Sequence, residues 1–374
     1  MAMSDLRYQK KRRSSAALIK HAENFSLQPT FITRPWTFNR TQGTPELTLA
    51  QRLNLAKDLA EYGLRGVELV YPYEINENTI NDFQNFVRDS SLVIKSVLLD
   101  YSQNPEYVFG ALSSPLPAVR RKAIEQLKTM LEINEELETE YSLILLNTDG
   151  YNNSFGFDQT AARDRFALGV VEALEYFPEM RIAFHAQPCR NARRPLFYST
   201  AEVLFLCQKI ESLITGSDHR EIMLDGHSLV TVNPDLQFMP RLGEDPSTTL
   251  SLLLEATRLS GVNFGIAPNE SYSFFDPYAD FSLVKSALYQ LKLAGYHGNF
   301  CITIESGIIP PEQALKNTID FLQSQLQFIN YLDDDKIIQT HLHPDQNPGW
   351  LDAYLIRAAS PHVESLPAID YFQV

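Results

Sequence analysis

The sequence predicts an α/β chain folded as a closed (βα)8 TIM barrel, with an extension at each end. Three observations carry this expectation. From about residue 29 onward, eight short apolar runs rich in β-branched and aromatic residues alternate with eight segments of helical period. Each run is nearly continuous in apolar character, as strands of a parallel sheet covered by helices should be. Eight βα units have two main solutions, an open doubly wound sheet or a barrel. The open dinucleotide-binding form would follow its first strand with G-x-G-x-x-G, whereas here Trp36 is followed by Thr37-Phe38-Asn39-Arg40-Thr41.

Taken in order, the expected strands cover residues 30–36, 66–71, 92–99, 142–147, 181–186, 221–227, 263–269 and 300–306. The first helix carries its own start and stop signals. Thr48 and Gln51 have the spacing of a capping box, Leu49, Leu53, Ala56 and Ala60 fall on one face, and Gly63 supplies a left-handed exit. Further helices are expected to start near Thr79, Pro117, Thr160, Ser199, Pro246, Asp280 and Pro311. Ser199 with Glu202 repeats the capping-box spacing, and Pro117 and Pro311 suit a first helical turn, where a missing N–H costs nothing.

The barrel is thus expected over residues 29–330, preceded by a basic arm (1–28) and followed by a C-terminal arm (331–374). The first arm holds Arg7, Lys10, Lys11, Arg12, Arg13 and Lys20 against Asp5, without the apolar core that an export signal requires. The second is too polar for a domain of its own. Ile356, Leu366, Tyr371 and Phe372 would have it pack on the barrel or on a partner subunit, so a homo-oligomer is expected.

Charge and composition narrow the function. With 46 acidic against 32 basic residues the formal net charge is −14, which opposes nucleic-acid binding because phosphates must be met by clustered Lys and Arg. No apolar run approaches the length that spans a membrane. Cys189, Cys207 and Cys301 are scattered and odd in number, which points to a reducing, cytoplasmic setting without a disulfide framework.

In a barrel of this kind the chemistry lies at the carboxyl ends of the strands. Strand five is expected to end at His185 and Gln187, strand six at Asp225 and His227, strand seven at Asn269 and Glu270 with Asp276 following, and strand eight at Glu305. Imidazoles and carboxylates converging on one mouth suit a divalent metal with N and O ligands, such as Mn²⁺, Zn²⁺ or Mg²⁺. Asp225 and His227 stand two apart, so on a strand both face the same way, and Gly226 between them allows close backbone approach.

Several motifs resemble those of the xylose isomerase-like barrels, the bacterial sugar isomerases related to xylose and L-rhamnose isomerase. They are Gly110-Ala111-Leu112-Ser113-Ser114-Pro115 with Ala118-Val119-Arg120-Arg121-Lys122-Ala123, Gly66-Val67-Glu68-Leu69 with Tyr71-Pro72-Tyr73, and Asp149-Gly150-Tyr151. Leu224-Asp225-Gly226-His227, Asn269-Glu270 with Asp276, and Gly295-Tyr296-His297-Gly298 continue the series in order. The resemblance implies aldose–ketose isomerisation or epimerisation of a small carbohydrate on one or two divalent metals, which polarise the substrate carbonyl.

This chain departs from the family pattern. The ligand Glu of E-x-K-P becomes His185 and its Lys becomes Gln187; the strand-seven ligand falls on Ala267, a later carboxylate on Tyr278, and the His after strand two on Val70. What survives implies a single metal held by His185, Asp225 and Glu305, with Asp276, Glu270 or His227 nearby. Glu305, Glu270 or His227 would exchange a proton beside a carbonyl, and Trp36, Gln187, Arg193 and Asn269 would contact the sugar. Two other readings remain: a related lyase or dehydratase, or a catalytically weakened barrel that binds a ligand or protein partner. The nuclease branch of the same superfamily is disfavoured by eight histidines and a net charge of −14.

Overall fold

The nearly continuous apolar runs expected to be strands form a parallel sheet covered by helices in a computed structural model of the protein. It describes residues 25–38, 46–177, 180–186, 194–216, 228–236, 239–266, 281–304 and 309–359. Eight parallel strands follow one another: β1 (Thr30–Thr33), β2 (Leu64–Tyr71), β3 (Val93–Leu99), β4 (Ser142–Leu146), β5 (Ile182–Ala186), β6 (Val230–Val232), β7 (Val262–Ile266) and β8 (Asn299–Ile304). Their order in the sheet is β6-β5-β4-β3-β2-β1-β8-β7. The ring closes between β6 and β7 through the parallel bridges Val232–Leu259 and Asp235–Asn263. Asn263 N–H donates to the Pro234 carbonyl at 2.8 Å and Leu236 N–H to the Asn263 carbonyl at 3.0 Å. The chain is a closed (βα)8 barrel.

Helices α1 (Leu49–Asp58), α2 (Ile80–Arg88), α3 (Pro117–Glu136), α4 (Gln159–Leu174), α5 (Thr200–Leu213), α6 (Pro246–Glu255), α7 (Phe281–Leu293) and α8 (Pro311–Tyr331) surround it. Both capping boxes form, Thr48 with Gln51 and Ser199 with Glu202, and Gly63 takes φ +105° after the turn that follows α1. Beyond α8, α9 (Asp334–Leu342) and α10 (Trp350–Ala358) lie against the outer core, which includes Leu332 and Ile337. A buried Lys292–Asp334 ion pair ties this segment to α7, and Asn330 clasps both backbone groups of Leu27.

Two strands differ from the sequence reading. The first ends at Thr33, because Pro35 opens a 3-10 turn over Pro35–Phe38. The sixth is Val230–Val232, not residues 221–227. Two β-like runs flank Asp225-Gly226-His227, and the later, β-branched one is the strand. Its entry is fixed by Glu211 of α5, whose Oε1 accepts from the N–H groups of Leu229 and Val230 while its other oxygen holds Arg258.

Candidate active site

The two strand faces divide cleanly. Val67, Leu69, Val97, Leu99, Ile144, Leu146, Ile182, Phe184, Val230, Val232, Val262, Phe264, Phe300 and Ile302 join the outer core beneath the helices. The alternate residues face the barrel axis. One set of these, drawn from β2 to β5, is apolar: Val70, Leu98, Leu143, Leu145 and Ala183 form a second cluster with Tyr141, and Trp36 packs against it. Val70, where the resembling family often has His, is part of this filling. A second set is polar and buried: Arg34 after β1, Glu68 on β2, His185 on β5, and Asn233, Asp235, Asn263 and Asn299 on or beside β6 to β8. A barrel interior is ordinarily filled by branched apolar side chains, so the polar set marks where ligand chemistry belongs.

His185 lies at the penultimate residue of β5 and is fully buried. Burial first, then the positive charge of Arg34, holds its imidazole well below the ordinary histidine range, so the ring is neutral at pH 7. Nδ1 stands 2.9 Å from the Asn233 carbonyl oxygen and must donate its hydrogen there. That leaves a lone pair on Nε2, which has no hydrogen-bond partner among the described residues. Nε2 faces Oδ2 of Asp235 at 3.6 Å. The carboxylate is positioned by Asn263, whose Nδ2 donates to Oδ2 at 2.6 Å and also reaches Thr303 Oγ1 at 3.2 Å. Side chains from β5, β6, β7 and β8 thus form one contiguous chain, with two acceptors aimed at a shared gap.

A second network lies deeper and toward β1. Arg34 Nε donates to Glu68 Oε2 at 2.9 Å, Tyr141 Oη donates to Oε1 at 2.9 Å, and Cys301 Sγ lies 3.4 Å from Oε2. Arg34 is 1% exposed and Glu68 fully buried. Burial opposes the guanidinium charge, but Glu68, Cys301 and Asp235 outweigh it and raise the Arg34 pKa. Burial and then Glu68 push the Tyr141 and Cys301 pKa values well above their ordinary ones, so both stay neutral donors. Nη2 of Arg34 has no hydrogen-bond partner among the described residues.

Of the residues expected at the site, His185 and Trp36 lie on the inner side of the barrel. Gln187, Arg193, Asp225, His227, Ala267, Asn269, Glu270, Asp276, Tyr278 and Glu305 lie outside the described residues. Asp225 and His227 precede β6 in sequence, so they are not its carboxyl end. Sequence reasoning missed Asp235, Arg34, Glu68 and Asn263. The run Leu229-Val230-Thr231-Val232 before Asn233-Pro234-Asp235 would have pointed to the first of them. Among the described residues, no three His, Cys, Asp or Glu side chains group as a metal site. His185 and Asp235 nonetheless offer one nitrogen and one carboxylate, and donors about 2.1 Å from one tetrahedral ion stand roughly 3.4 Å apart. An orphaned imidazole nitrogen beside a carboxylate fits a divalent cation.

Comparison with known proteins agrees with the barrel fold. The barrel superposes on a D-tagatose 3-epimerase-like protein with a TM-score of 0.57 at 15% identity, covering 80% of this chain and 98% of that one. It superposes on an L-ribulose 3-epimerase at 0.54 and 12%, covering 86% and 99%. With D-psicose 3-epimerase from Clostridium cellulolyticum H10, solved with D-tagatose, the values are 0.53 and 12%, covering 81% and 98%. Identities this low establish a shared fold. The model of the family described as xylose isomerase-like TIM barrel matches residues 56–248, more than half of the chain, and the protein belongs to that family.

Proposed function

We propose that the protein is an isomerase or epimerase of a small carbohydrate, working with one divalent metal at the barrel mouth. The observation that supports this most directly is the His185–Asp235 pair: a neutral imidazole lone pair and a carboxylate, both buried, face one another across 3.6 Å. Asp235 takes the strand-six role that the sequence reading gave to Asp225. Glu305, two residues past Thr303, is the third proposed ligand, with Asp276 available to the same set. A bound metal would polarise the substrate carbonyl and lower the barrier to removing the adjacent proton.

The protein's own groups do the rest. The Asn233 carbonyl fixes the tautomer of His185, and Asn263 fixes the rotamer of Asp235, so neither ligand reorganises when a cation arrives. A carboxylate at Glu305 or Glu270 would take the proton from the carbon beside the carbonyl. Its return to the opposite face gives an epimer, and its return to the neighbouring carbon gives an isomer. Trp36, with Gln187, Arg193 and Asn269, would hold the polyol.

Two measurements test this. Calorimetric titration of Mn²⁺ into metal-stripped protein should show binding that falls steeply in Asp235→Asn and in His185→Ala. Incubation of metal-loaded protein with ketoses in D₂O should incorporate deuterium beside the carbonyl. A protein that takes up no metal and exchanges no deuterium would move the assignment to a ligand- or partner-binding barrel.

A further inference from the structure

The turn that follows β1 places two donor-only side chains inside the barrel, each with a buried N–H that has no acceptor among the described residues. Arg34 spends Nε on Glu68, and its Nη2 is buried with no hydrogen-bond partner among the described residues. Trp36, two residues on, packs against Val70, Leu98, Leu143, Leu145 and Ala183, and its buried Nε1–H has no partner among them either. Register relates the two. Thr33 pairs with Val67, so Arg34 comes level with Glu68, and Trp36 meets the cluster that contains Val70, one layer nearer the mouth. Arg34, like His185 and Asp235, is a buried polar side chain of the barrel interior.

A buried guanidinium and an indole N–H can only donate. Whatever satisfies them must accept, and leaving such donors unpaired costs about 1–3 kcal/mol each. Charge then separates the possible acceptors. Glu68 already neutralises Arg34, and Asp235 adds a further negative field. Against Arg34, whose charge Glu68 has already balanced, a carboxylate or phosphate would add a negative charge whose desolvation is poorly repaid. An uncharged acceptor-only oxygen carries no such penalty.

We infer that Arg34, assisted by Trp36, is the specificity determinant for an uncharged carbonyl oxygen, so that the site selects an open-chain keto sugar over the matching alditol or sugar acid. This rests on the reading above that the substrate is a carbohydrate. The alditol replaces the acceptor-only carbonyl with a hydroxyl, which can accept from the same donors only if a further acceptor takes its own hydrogen, and the acid replaces it with a charge.

The test is calorimetric binding to the Mn²⁺-loaded protein of four-, five- and six-carbon ketoses, each beside its alditol and its aldonate. At least one ketose should bind about tenfold more tightly than both of its matched analogues, the effect of one hydrogen bond to a charged group. Arg34→Ala would strand Glu68 and endanger folding, so the paired variant Arg34→Gln/Glu68→Gln is used, with Trp36→Phe beside it. The paired variant should lose the ketose preference, and Trp36→Phe should reduce it several-fold, while Mn²⁺ affinity stays close to that of the parent. Equal binding of ketose and alditol, stronger binding of the aldonate, or an unchanged preference in the paired variant overturns the role of Arg34 and leaves the carbohydrate reading standing. Binding of simple ketones such as acetone with no gain from the polyol would support Arg34 and remove the carbohydrate. Failure of every ligand to bind would remove both.

Discussion

Glu68 is the residue whose replacement discriminates best between a built polar interior and an incidental one. Its carboxylate is fully buried and takes three contacts: Arg34 Nε at 2.9 Å, Tyr141 Oη at 2.9 Å and Cys301 Sγ at 3.4 Å. Glu68→Gln keeps the volume but not the chemistry. If the amide oxygen faces Tyr141, the amide NH₂ faces two other donors; if it is flipped, Tyr141 meets an N–H. Either way a buried guanidinium loses its counter-charge, which typically costs about 3–5 kcal/mol. Removing both charges should cost much less, because a well-packed apolar pair of similar volume avoids the desolvation penalty altogether. In Arg34→Met/Glu68→Met, Tyr141 and the weakly donating Cys301 thiol lose their acceptor, the hydroxyl at about 1–3 kcal/mol. The assay is urea unfolding of the parent, the two single variants and the double, read as a thermodynamic cycle. A loss below about 1 kcal/mol in Glu68→Gln, well under the range for a broken buried pair, would refute the reasoning. So would a double variant whose loss equals the sum of the singles.

Two further outcomes follow from the same interior and its rim. Glu74, just past β2, accepts from the Val70 N–H at 3.0 Å and pairs with Arg52, yet burial lifts its carboxyl pKa from 4.5 to about 7. The folded protein therefore binds the proton more tightly than the unfolded chain, and this group's contribution to stability is lost as pH rises from about 4.5 through 7, by roughly 3 kcal/mol. Glu74→Gln should gain on the parent by that order between pH 4.5 and pH 8 in urea unfolding, and parallel curves would show the carboxyl to be ionised throughout. Asn233 is fully buried with neither side-chain polar atom partnered among the described residues, so Asn233→Leu should raise the unfolding midpoint of the ligand-free protein by the equivalent of about 1–3 kcal/mol. The variant keeps the backbone carbonyl that orients His185, and a lowered midpoint would mean that the amide is satisfied in solution.

The sequence made the helices legible because their signals are local. Capping boxes at Thr48 and Ser199, the first-turn prolines 117, 246 and 311, and the left-handed Gly63 depend on neighbours three or four positions away. Most strands were legible because a strand buried on both faces leaves a continuous apolar run. Strand six was not, because two such runs stood nine residues apart and local pattern could not choose between them. The choice is made at a distance, where Glu211 on the preceding helix receives the amides of Leu229 and Val230. His185 was legible from its place at a strand end. Arg34 and Glu68 were hidden because each alone reads as an ordinary surface charge. Only the register that brings β1 level with β2 makes them a buried pair.

That hidden pair also bears on whether the barrel is a worn-out relic. A relic is free to fill its mouth with apolar side chains, and one part of this interior is filled in that way. The rest is not. It holds a neutral imidazole with a bare lone pair, a guanidinium with a spare N–H edge, and polar atoms of Asn233 and Asn263 that have no partner among the described residues. Each such atom lowers the stability of the empty protein, and surface-type substitutions elsewhere cannot restore it. The donors Arg34 Nη2 and Trp36 Nε1 follow β1, and the imidazole lone pair lies on β5. Their separation is what an interior requires if it must hold a cation on one side and a carbonyl oxygen on the other, and the instability of the empty barrel is then the counterpart of its binding energy.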